Sequence, residues 1–192
     1  MAEARERHLS RDRRLPLVEA AEWLRALPPA MRWILHGDER VRALARAAWG
    51  VEFSQERCRA IVQGSRATLW LGPDEYLLLD LAAAPEESQA TALSILEQAL
   101  SPAPHALVDV SHRQFALEVS GPHAGSILNG ACPLDLDPAA FPVGMCTRSV
   151  LAKADIVLWR TRPDAFHVEV WRSFAGYVTG LLREIAREFY PP

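Results

Sequence analysis

Lysine is almost absent from this chain: Lys153 is the only one, so that nearly all of the 21 basic residues are arginines. The 24 acidic residues leave a net charge of −3. A chain without a basic excess has no general electrostatic attraction for nucleic acids or anionic membranes, so neither is expected as a partner. The preference for arginine over lysine is itself typical of a GC-rich genome.

Cysteine and long apolar runs are also scarce. The three cysteines, Cys58, Cys132 and Cys146, are far apart and odd in number, which is unlike a secreted disulfide framework. No stretch approaches the ~18 apolar residues of a membrane span, and no apolar run follows the first charged residues as a signal peptide would require. With 49% hydrophobic residues, the sequence predicts a soluble, cytoplasmic protein with a substantial core.

The usual motifs of nucleotide, metal and hydrolytic sites are missing. There is no G-x-G-x-x-G, P-loop or C-x-x-C, and His123, Cys132 and Cys146 do not have a zinc spacing. Ser111 and His112 are neighbours, and on a strand they would point to opposite faces, which prevents a nucleophile–base pair. We therefore predict no catalytic, cofactor-binding or metal-binding residue in this chain, and interpret Cys132 as a small buried apolar residue.

The stretch from Asp109 to Leu136 has the clearest local pattern. Phe115, Leu117 and Val119 alternate with polar or small residues, which predicts a half-buried strand. A short helix follows, and Asn129-Gly130 ends it because glycine tolerates the left-handed conformation that many helix ends adopt.

Similar patterns predict elements along the rest of the chain. Asp38 and Ser173 are expected to cap helices, Gly50 to end one, and Gln63-Gly64 to form a hairpin turn. The remaining predictions are a helix over Leu17–Leu27, strands over 31–36, 58–62, 66–71, 76–81, 147–152, 155–160 and 166–170, a helix from Pro85, and partly exposed positions for Trp23, Trp33, Trp49 and Trp171.

The chain also nearly repeats itself. Residues 68–76 resemble residues 157–166, with an offset of 89 at the tryptophans and 90 at the prolines. We predict an α+β fold of two pseudo-repeated β-α-β-β-β-α-like halves that share one core, with antiparallel-rich sheets and packed helices. The expected organisation is a flexible arm (1–14) and a single domain (15–190), with halves at about 31–104 and 105–190.

A set of short motifs in fixed order resembles a known family. The motifs are D-V-S-H-R at 109–113, S-G-P-H-A at 120–124, C-P-L-D-L at 132–136, F-P-V-G at 141–144, V-L-W-R at 157–160, D-A-F-H-V-E-V at 164–170 and W-R-S-F-A at 171–175. Together they resemble the gamma subunit of heterotetrameric sarcosine oxidase. The resemblance implies a fold like the folate-binding domain of aminomethyltransferase. It also implies a complex that oxidatively demethylates sarcosine to glycine, giving hydrogen peroxide and formaldehyde or methylenetetrahydrofolate.

The resemblance further implies a non-catalytic role in assembly. The expected partners are the alpha, beta and delta subunits; FAD, FMN and NAD are expected in the other subunits, with tetrahydrofolate as co-substrate of the complex. The alternative is a stand-alone folate-binding aminomethyl or methyl transferase-like protein, although such enzymes are about twice as long.

The Pro-rich loop after the central helix is the predicted contact region. A well-defined loop without chemistry favours a binding role, so these residues are predicted to build or buttress the partner-facing side: Cys132, Pro133, Leu134, Asp135, Phe141 and Arg172. The equally acceptable alternative is that the loop only covers the end of a sheet.

Overall fold

The computed structural model describes residues 21–82 and 86–190 of the chain, without the side chains of 86–88. The predicted arm at 1–14 and the first part of the predicted helix over 17–27 lie outside these residues. The end of that helix prediction is wrong, because Leu24–Ala26 forms a strand (β1). Arg25 is exposed between the buried Leu24 and the half-buried Ala26, so this segment follows the two-residue period of a strand.

Two successive units of equal element order follow β1. The first consists of β2 (Met31–His36), helix α1 (Glu39–Trp49), β3 (Ala60–Gln63), β4 (Arg66–Gly72), β5 (Glu75–Asp80) and helix α2 (Glu86–Leu100). The second consists of β7 (Gln114–Ser120), helix α3 (Ala124–Asn129), β8 (Cys146–Leu151), β9 (Ala154–Arg162), β10 (Ala165–Trp171), a 3-10 turn (Arg172–Phe174) and helix α4 (Ala175–Ala186). The predicted β-α-β-β-β-α halves are thus present, and strand β6 (Ala106–Asp109) connects them.

Each half forms its own antiparallel sheet, and the halves exchange their leading strands. Sheet I has the order β3-β4-β5-β2-β6, and sheet II has the order β1-β7-β10-β9-β8. Strand β1 precedes the first half but pairs with β7, whereas β6 precedes the second half but pairs with β2. Neither half can complete its sheet alone, since its fifth strand comes from the chain segment that leads into the other half.

The two sheets stack face to face and the helices cover their outer faces. One buried cluster lies between α1, α2 and sheet I, and a second lies between α3, α4 and sheet II. A third, between the sheets, contains Leu69 and Leu77 from sheet I and Val157 and Trp159 from sheet II. This four-layer arrangement is the α+β architecture expected from the sequence. In place of one shared core there are three buried clusters, and the cluster between the sheets is the one that takes residues from both halves. None of the described helices has the length and apolar character to cross a membrane.

Strand β7 differs from its prediction in one respect. It lies inside sheet II with neighbours on both sides, and Gln114 and Ala116 are as buried as Phe115 and Leu117. The half-buried prediction is wrong because sheet I covers the face that the polar residues occupy.

Most predicted turns and caps are present, with three corrections. Asp38 accepts a hydrogen bond from the Val41 N–H (3.0 Å), and Gly50 has a φ of 78° at the end of α1. Ser173 does not cap α4, since it lies in the 3-10 turn before it. Gly130 ends α3 with a right-handed φ of −62°. The first hairpin turns at Gly64-Ser65, one residue later than predicted.

Candidate functional site

The face of sheet II that meets sheet I carries a row of polar side chains. Strand register aligns Arg25, Glu118, His167, Trp159 and Cys146 across β1, β7, β10, β9 and β8. Most of their neighbours along the strands belong to the apolar cluster under the helices, among them Leu117, Leu158 and Phe166, so the two-residue period places this row between the sheets. We call these five residues the polar row.

A buried ion pair joins the two sheets beside the polar row. Arg32 of β2 donates from Nε to Glu169 Oε2 of β10 (2.7 Å) and from Nη1 to the Ala30 carbonyl (2.9 Å). His167 Nε2 lies 2.7 Å from the other carboxylate oxygen, Oε1. The Glu169 side chain is 0% exposed, and both of its oxygens have a partner within the protein. Such a cluster is costly to desolvate, and it is unfavourable to break because losing one partner leaves a buried charge unpaired.

Glu169 stays ionised in this setting. Burial alone would raise the pKa of its carboxyl, but the positive charge of Arg32 and the hydrogen bond with His167 outweigh burial, and the pKa falls below its ordinary value. Glu169 therefore makes its contacts with Arg32 and His167 as an ionised carboxylate.

At the β1 end of the polar row, Arg25 and Arg162 both contact the Glu118 carboxylate. Arg25 Nε donates to Glu118 Oε1 (2.9 Å), and Arg162 Nη1 lies 3.5 Å from Oε2. Burial raises the pKa of Glu118, but these two cations more than offset it and the pKa lies below its ordinary value. One carboxylate against two guanidinium groups leaves this rim with an excess positive charge.

Two cavities flank the buried ion pair. The larger, about 420 Å³, reaches Glu169 from the side of Gln114, Arg113 and Trp171. The smaller, about 300 Å³, lies over the polar row and reaches His167 and Arg32. Each cavity is lined by a side chain with a buried atom that lacks a hydrogen-bond partner, Gln114 Oε1 in the first and Trp159 Nε1 in the second. Both volumes fall near the lower end of the range for small-molecule sites.

Ser111 and His112 do not form a nucleophile–base pair. They lie in a turn after β6, not on the strand that the sequence predicted. The Ser111 hydroxyl accepts a hydrogen bond from the Arg32 backbone N–H (2.9 Å), while His112 is exposed. Within residues 21–82 and 86–190, no three His, Cys, Asp or Glu side chains come together as a group that could hold a metal ion.

The Pro-rich loop is held in place by an arginine that the sequence did not single out. Arg160 of β9 donates from Nη1 to the carbonyls of Phe141 (2.7 Å) and Leu136 (3.2 Å) and stacks over the Phe166 ring. It also donates from Nε and Nη2 to the Pro163 carbonyl. A buried guanidinium can satisfy several carbonyls at once because it carries five donors in a fixed plane.

The structure divides the predicted contact residues into three groups. Cys132 and Phe141 are buried in the sheet II core, which confirms Cys132 as a buried apolar residue and allows both only a supporting role. Pro133 and Asp135 are exposed, and Leu134 packs partly against the same core. Arg172 lies apart from them, past the end of β10 that is remote from Phe141, where its Nε donates to the His112 carbonyl. The structure therefore does not bring Arg172 together with the loop.

Only one of the four tryptophans predicted to be partly exposed is so. Trp23, Trp33 and Trp49 are buried. Trp23 belongs to the cluster between sheet II and its helices, and Trp33 and Trp49 belong to the cluster between sheet I and its helices. Trp171 is 44% exposed, and the Arg113 guanidinium lies over its ring. Phe174 and Tyr177 are exposed next to it in the chain and pack edge to face. We call Trp171, Phe174 and Tyr177 the aromatic patch.

Sequence reasoning missed Arg32, Arg160 and Glu169. A signal was present, since each is a single charge in an otherwise largely apolar strand, in M-R-W-I-L-H, V-L-W-R and F-H-V-E-V-W. A charged side chain on a buried strand is costly unless an opposite charge pairs with it. A single acid on one such strand and a single arginine on another therefore indicate an ion pair. Which strands would face each other was not visible in the pattern.

Comparison with known families gives the wider context. The sequence model described as sarcosine oxidase, gamma subunit family matches residues 36–188. The chain belongs to the sarcosine oxidase gamma subunit family. The predicted family resemblance is therefore confirmed.

Individual members of the family are similar over a large central part of the chain. Sarcosine oxidase subunit gamma of Corynebacterium sp. (strain P-1) is 38% identical over 128 residues, which are 67% of this chain and 60% of that protein. The subunit of the same name from Arthrobacter sp. is 37% identical over 126 residues, 66% of this chain and 59% of that protein. The matched stretch thus spans about 60% of the length of these relatives.

Solved structures extend the similarity to the fold. A chain of the heterotetrameric sarcosine oxidase from Corynebacterium sp. U-96 superimposes with a TM-score of 0.80 at 29% identity, covering 90% of this chain and 89% of that one. Glycine cleavage system aminomethyltransferase T from Bartonella henselae gives a TM-score of 0.60 at 13% identity, covering 83% of this chain and 44% of that one. The second match shows the fold alone, and it confirms the predicted likeness to aminomethyltransferase.

Proposed function

We propose that this chain is a non-catalytic gamma subunit of a heterotetrameric sarcosine oxidase. The observation that carries the proposal is the combination of family membership over residues 36–188 with the near-complete overlap with a chain of such a complex. The internal charges give further support: Glu169 and Glu118, two of the acids that face the space between the sheets, are both held by arginines. Groups paired in this way stabilise an architecture and are poorly placed for acid–base chemistry.

Co-expression tests the proposal directly. The tagged chain should retain its partner subunits through purification, and the recovered complex should oxidise sarcosine with release of hydrogen peroxide. The same chain purified without partners should show no such activity. Sarcosine oxidation by the isolated chain would contradict a non-catalytic role.

The redox chemistry is proposed to reside in the other subunits. FAD, FMN and NAD are assigned to the alpha and beta subunits, the delta subunit completes the complex, and tetrahydrofolate acts as its co-substrate. Absorption spectra separate the contributions: the complex should show the absorption bands of a flavin, and acid extraction should release FAD. A flavin that co-purifies with this chain alone would assign the cofactor differently.

Partner contact is proposed at two places on the surface. The aromatic patch exposes three large rings beside the cations Arg113 and Arg172, a composition typical of binding surfaces. The exposed part of the loop, Pro133 and Asp135, is the second place, and its backbone is fixed by the Asp135 side chain, which accepts the Asp137 N–H (2.9 Å).

Alanine variants distinguish contact from stability. Trp171→Ala with Tyr177→Ala, and separately Asp135→Ala with Arg172→Ala, should weaken subunit association at least about tenfold, since buried aromatic and arginine anchors dominate interfaces. The matched control is Ile95→Ala, which trims an equally exposed apolar side chain on α2. Variants that lower the melting temperature and leave association unchanged would refute the assigned surface.

The second candidate is a folate-binding transferase-like protein, favoured only by the likeness to aminomethyltransferase T. Titration of the purified chain with tetrahydrofolate decides it. Saturable micromolar binding would support this candidate, and the absence of binding up to millimolar concentration would remove it.

A further inference from the structure

Two of the three cysteines meet where the edge of sheet I joins the edge of sheet II. Arg59, just before β3, forms an antiparallel bridge with Met145, just before β8. This register places Cys58 opposite Cys146, and the Cys146 N–H donates to the Cys58 carbonyl at 2.8 Å. Opposed residues of an antiparallel pair have Cα atoms about 4.5–5.5 Å apart, and disulfides span Cα separations of about 4.4–6.8 Å. The backbone therefore holds the two cysteines at a separation that a disulfide can bridge.

A third segment confines both cysteines to this corner of the fold. The Trp70 carbonyl of β4 lies 3.6 Å from the Cys146 Sγ. The Trp70 N–H donates to the carbonyl of Arg59, the residue after Cys58, at 3.1 Å. Burial is the main cause of the raised pKa of the Cys146 thiol, and the charge of a Cys58 thiolate adds to it, as expected of neighbouring sulfur atoms.

The two thiols differ in access, as a reacting cysteine and a resolving cysteine should. Cys58 is partly exposed, whereas Cys146 is buried, so a small oxidant reaches Cys58 first. Cys58 also has a positive φ of 57°, a conformation that favours glycine or asparagine. Among the described residues, the other non-glycine residues with a positive φ, Asp74 and Ala152, lie in two-residue hairpin turns. A thiol held in this conformation beside a second thiol indicates a chemical role.

We propose that Cys58 and Cys146 form a peroxide-responsive disulfide that covalently joins the two halves of the fold. The Cys58 sulfur attacks one oxygen of hydrogen peroxide, so that an S–O bond forms, the O–O bond breaks and water leaves. The Cys146 sulfur then attacks the Cys58 sulfenic acid: the S–S bond forms, the S–O bond breaks, and hydroxide leaves with the Cys146 thiol proton as a second water. The two thiols lose two electrons in all, and the peroxide gains them.

Proximity offsets the weak acidity of the buried thiol. The second step requires the Cys146 thiolate, and at a pKa of about 12 roughly one thiol in ten thousand is ionised near pH 8. Well-oriented intramolecular groups reach effective concentrations of about 10⁵ M or more. The product of the two factors exceeds the concentration of any external thiol in the millimolar range, so Cys146 is the preferred partner of the sulfenic acid. The proposal does not depend on the assignment to an oxidase complex.

Peptide mapping of the full chain tests the cross-link. The reduced protein is treated with a small molar excess of hydrogen peroxide, denatured in iodoacetamide so that remaining thiols are alkylated, and digested. Mass spectrometry should find the Cys58 and Cys146 peptides joined, with the loss of two hydrogen atoms, and dithiothreitol should separate them. The oxidised protein should melt at least about 4 °C higher than the reduced protein, because the bond links residues 88 positions apart.

Two single variants separate the roles of the cysteines. In Cys146→Ala the sulfenic acid at Cys58 has no resolving partner. Labelling of Cys58 by dimedone, which traps sulfenic acids, should therefore rise at least about tenfold over the original protein. Cys132→Ala is the matched control: it removes another buried cysteine, in the core of sheet II, and should leave both the cross-link and the dimedone labelling unchanged.

Three results would overturn the proposal. The first is a Cys58 that stays unmodified in peroxide. The second is oxidation of Cys58 to the sulfinic acid without any linked peptide, which would show that Cys146 does not reach it. The third is a bond between the Cys58 residues of two molecules as the main product at low protein concentration, visible as a dimer on a non-reducing gel.

Discussion

The two halves place very different residues at the same position of the fold. Across sheet I, the row that faces sheet II reads Val108, Ile34, Leu77, Leu69 and Ala60, all apolar. In sheet II the equivalent row is the polar row. The two rows occupy matching strands in matching order. A repeated backbone thus keeps its apolar outer faces, under the helices, while the contact between the sheets has diverged into an aliphatic side and a polar side.

The comparison also corrects the repeat offset. Trp70 pairs with Tyr76, and the residue that pairs with the equivalent Phe166 is Arg160. The offset between the halves is therefore 90 throughout this hairpin, as the prolines indicated, and the apparent match of Trp70 with Trp159 is displaced by one residue. Since a one-residue displacement reverses the face of a strand, Trp159 faces the other sheet whereas Trp70 faces the helices.

The largest expected effect comes from breaking the buried ion pair that joins the two sheets beside these rows. Glu169→Ala leaves Arg32 charged and unpaired between the sheets, and should lower the free energy of unfolding by about 3–5 kcal/mol, measured by urea denaturation. Arg32→Met combined with Glu169→Leu makes the contact apolar on both sides, and should return within about 1–2 kcal/mol of the original protein.

The control for this prediction is an exposed pair. Glu184→Ala removes the partner of Arg187 on the surface of α4 and should change the free energy of unfolding by less than about 1 kcal/mol. Equal losses for Glu169→Ala and Glu184→Ala would show that the buried pair does not hold the halves together.

The sequence predicted the outer faces well and the space between the sheets poorly, for a physical reason. Val41 and Leu182 on helices and Leu78 on a strand lie where a helix meets a sheet, and apolar periodicity identifies them without knowledge of the partner element. Glu118 and Gln114 look solvent-facing by the same rule, because the pattern cannot show that a second sheet covers them. Pairing between strands distant in sequence decides that.

Placing a residue of one row at the equivalent position of the other row should lower the free energy of unfolding, because one row is aliphatic and the other is polar. Leu77→His places an imidazole among aliphatic side chains, and should cost about 2–3 kcal/mol of unfolding free energy. The reverse exchange at the equivalent position, His167→Leu, removes one of the two partners of Glu169, which keeps Arg32, and should cost about 1–3 kcal/mol. A stabilising effect of Leu77→His would show that the aliphatic row tolerates polarity.

The first helix of each half ends at a glycine, again for different reasons. Gly50 needs its positive φ of 78° and has open space around it, so Gly50→Ala should cost about 1 kcal/mol through backbone strain. At Gly130 the backbone is ordinary, but a Cβ would lie 2.7 Å from Ile185 Cγ2, so Gly130→Ala should cost about 1–3 kcal/mol through overpacking. Ile185→Ala should relieve that overpacking at Gly130 and leave the Gly50 variant unchanged, as thermal denaturation would show.

Lowering the pH should destabilise the folded protein through Glu169, which lies beside the polar row. The folded pKa of Glu169 lies below its ordinary value of 4.5, so the stability that its ionisation contributes is complete above about pH 4.5 and is lost as the pH falls through the folded value. Between about pH 5 and pH 3 the urea midpoint of the original protein should therefore fall more steeply than that of Glu169→Gln. Parallel curves for the two proteins would assign acid sensitivity to other carboxylates, among them Glu118, whose pKa is lowered in the same direction.

The smallest expected effect concerns the last member of the polar row. Burial raises the pKa of the Cys146 thiol to about 12, and the thiol donates to the Trp70 carbonyl oxygen at 3.6 Å. At about pH 8 roughly one thiol in ten thousand is then ionised, so iodoacetamide should leave Cys146 unmodified in the folded protein for hours. The half-exposed Cys58 should be alkylated first, as mass spectrometry of the digested protein would show. Because Ala60 holds the equivalent position in sheet I, Cys146→Ala should be nearly neutral for folding. Rapid alkylation of Cys146 would mean that the two sheets separate often enough to expose their contact.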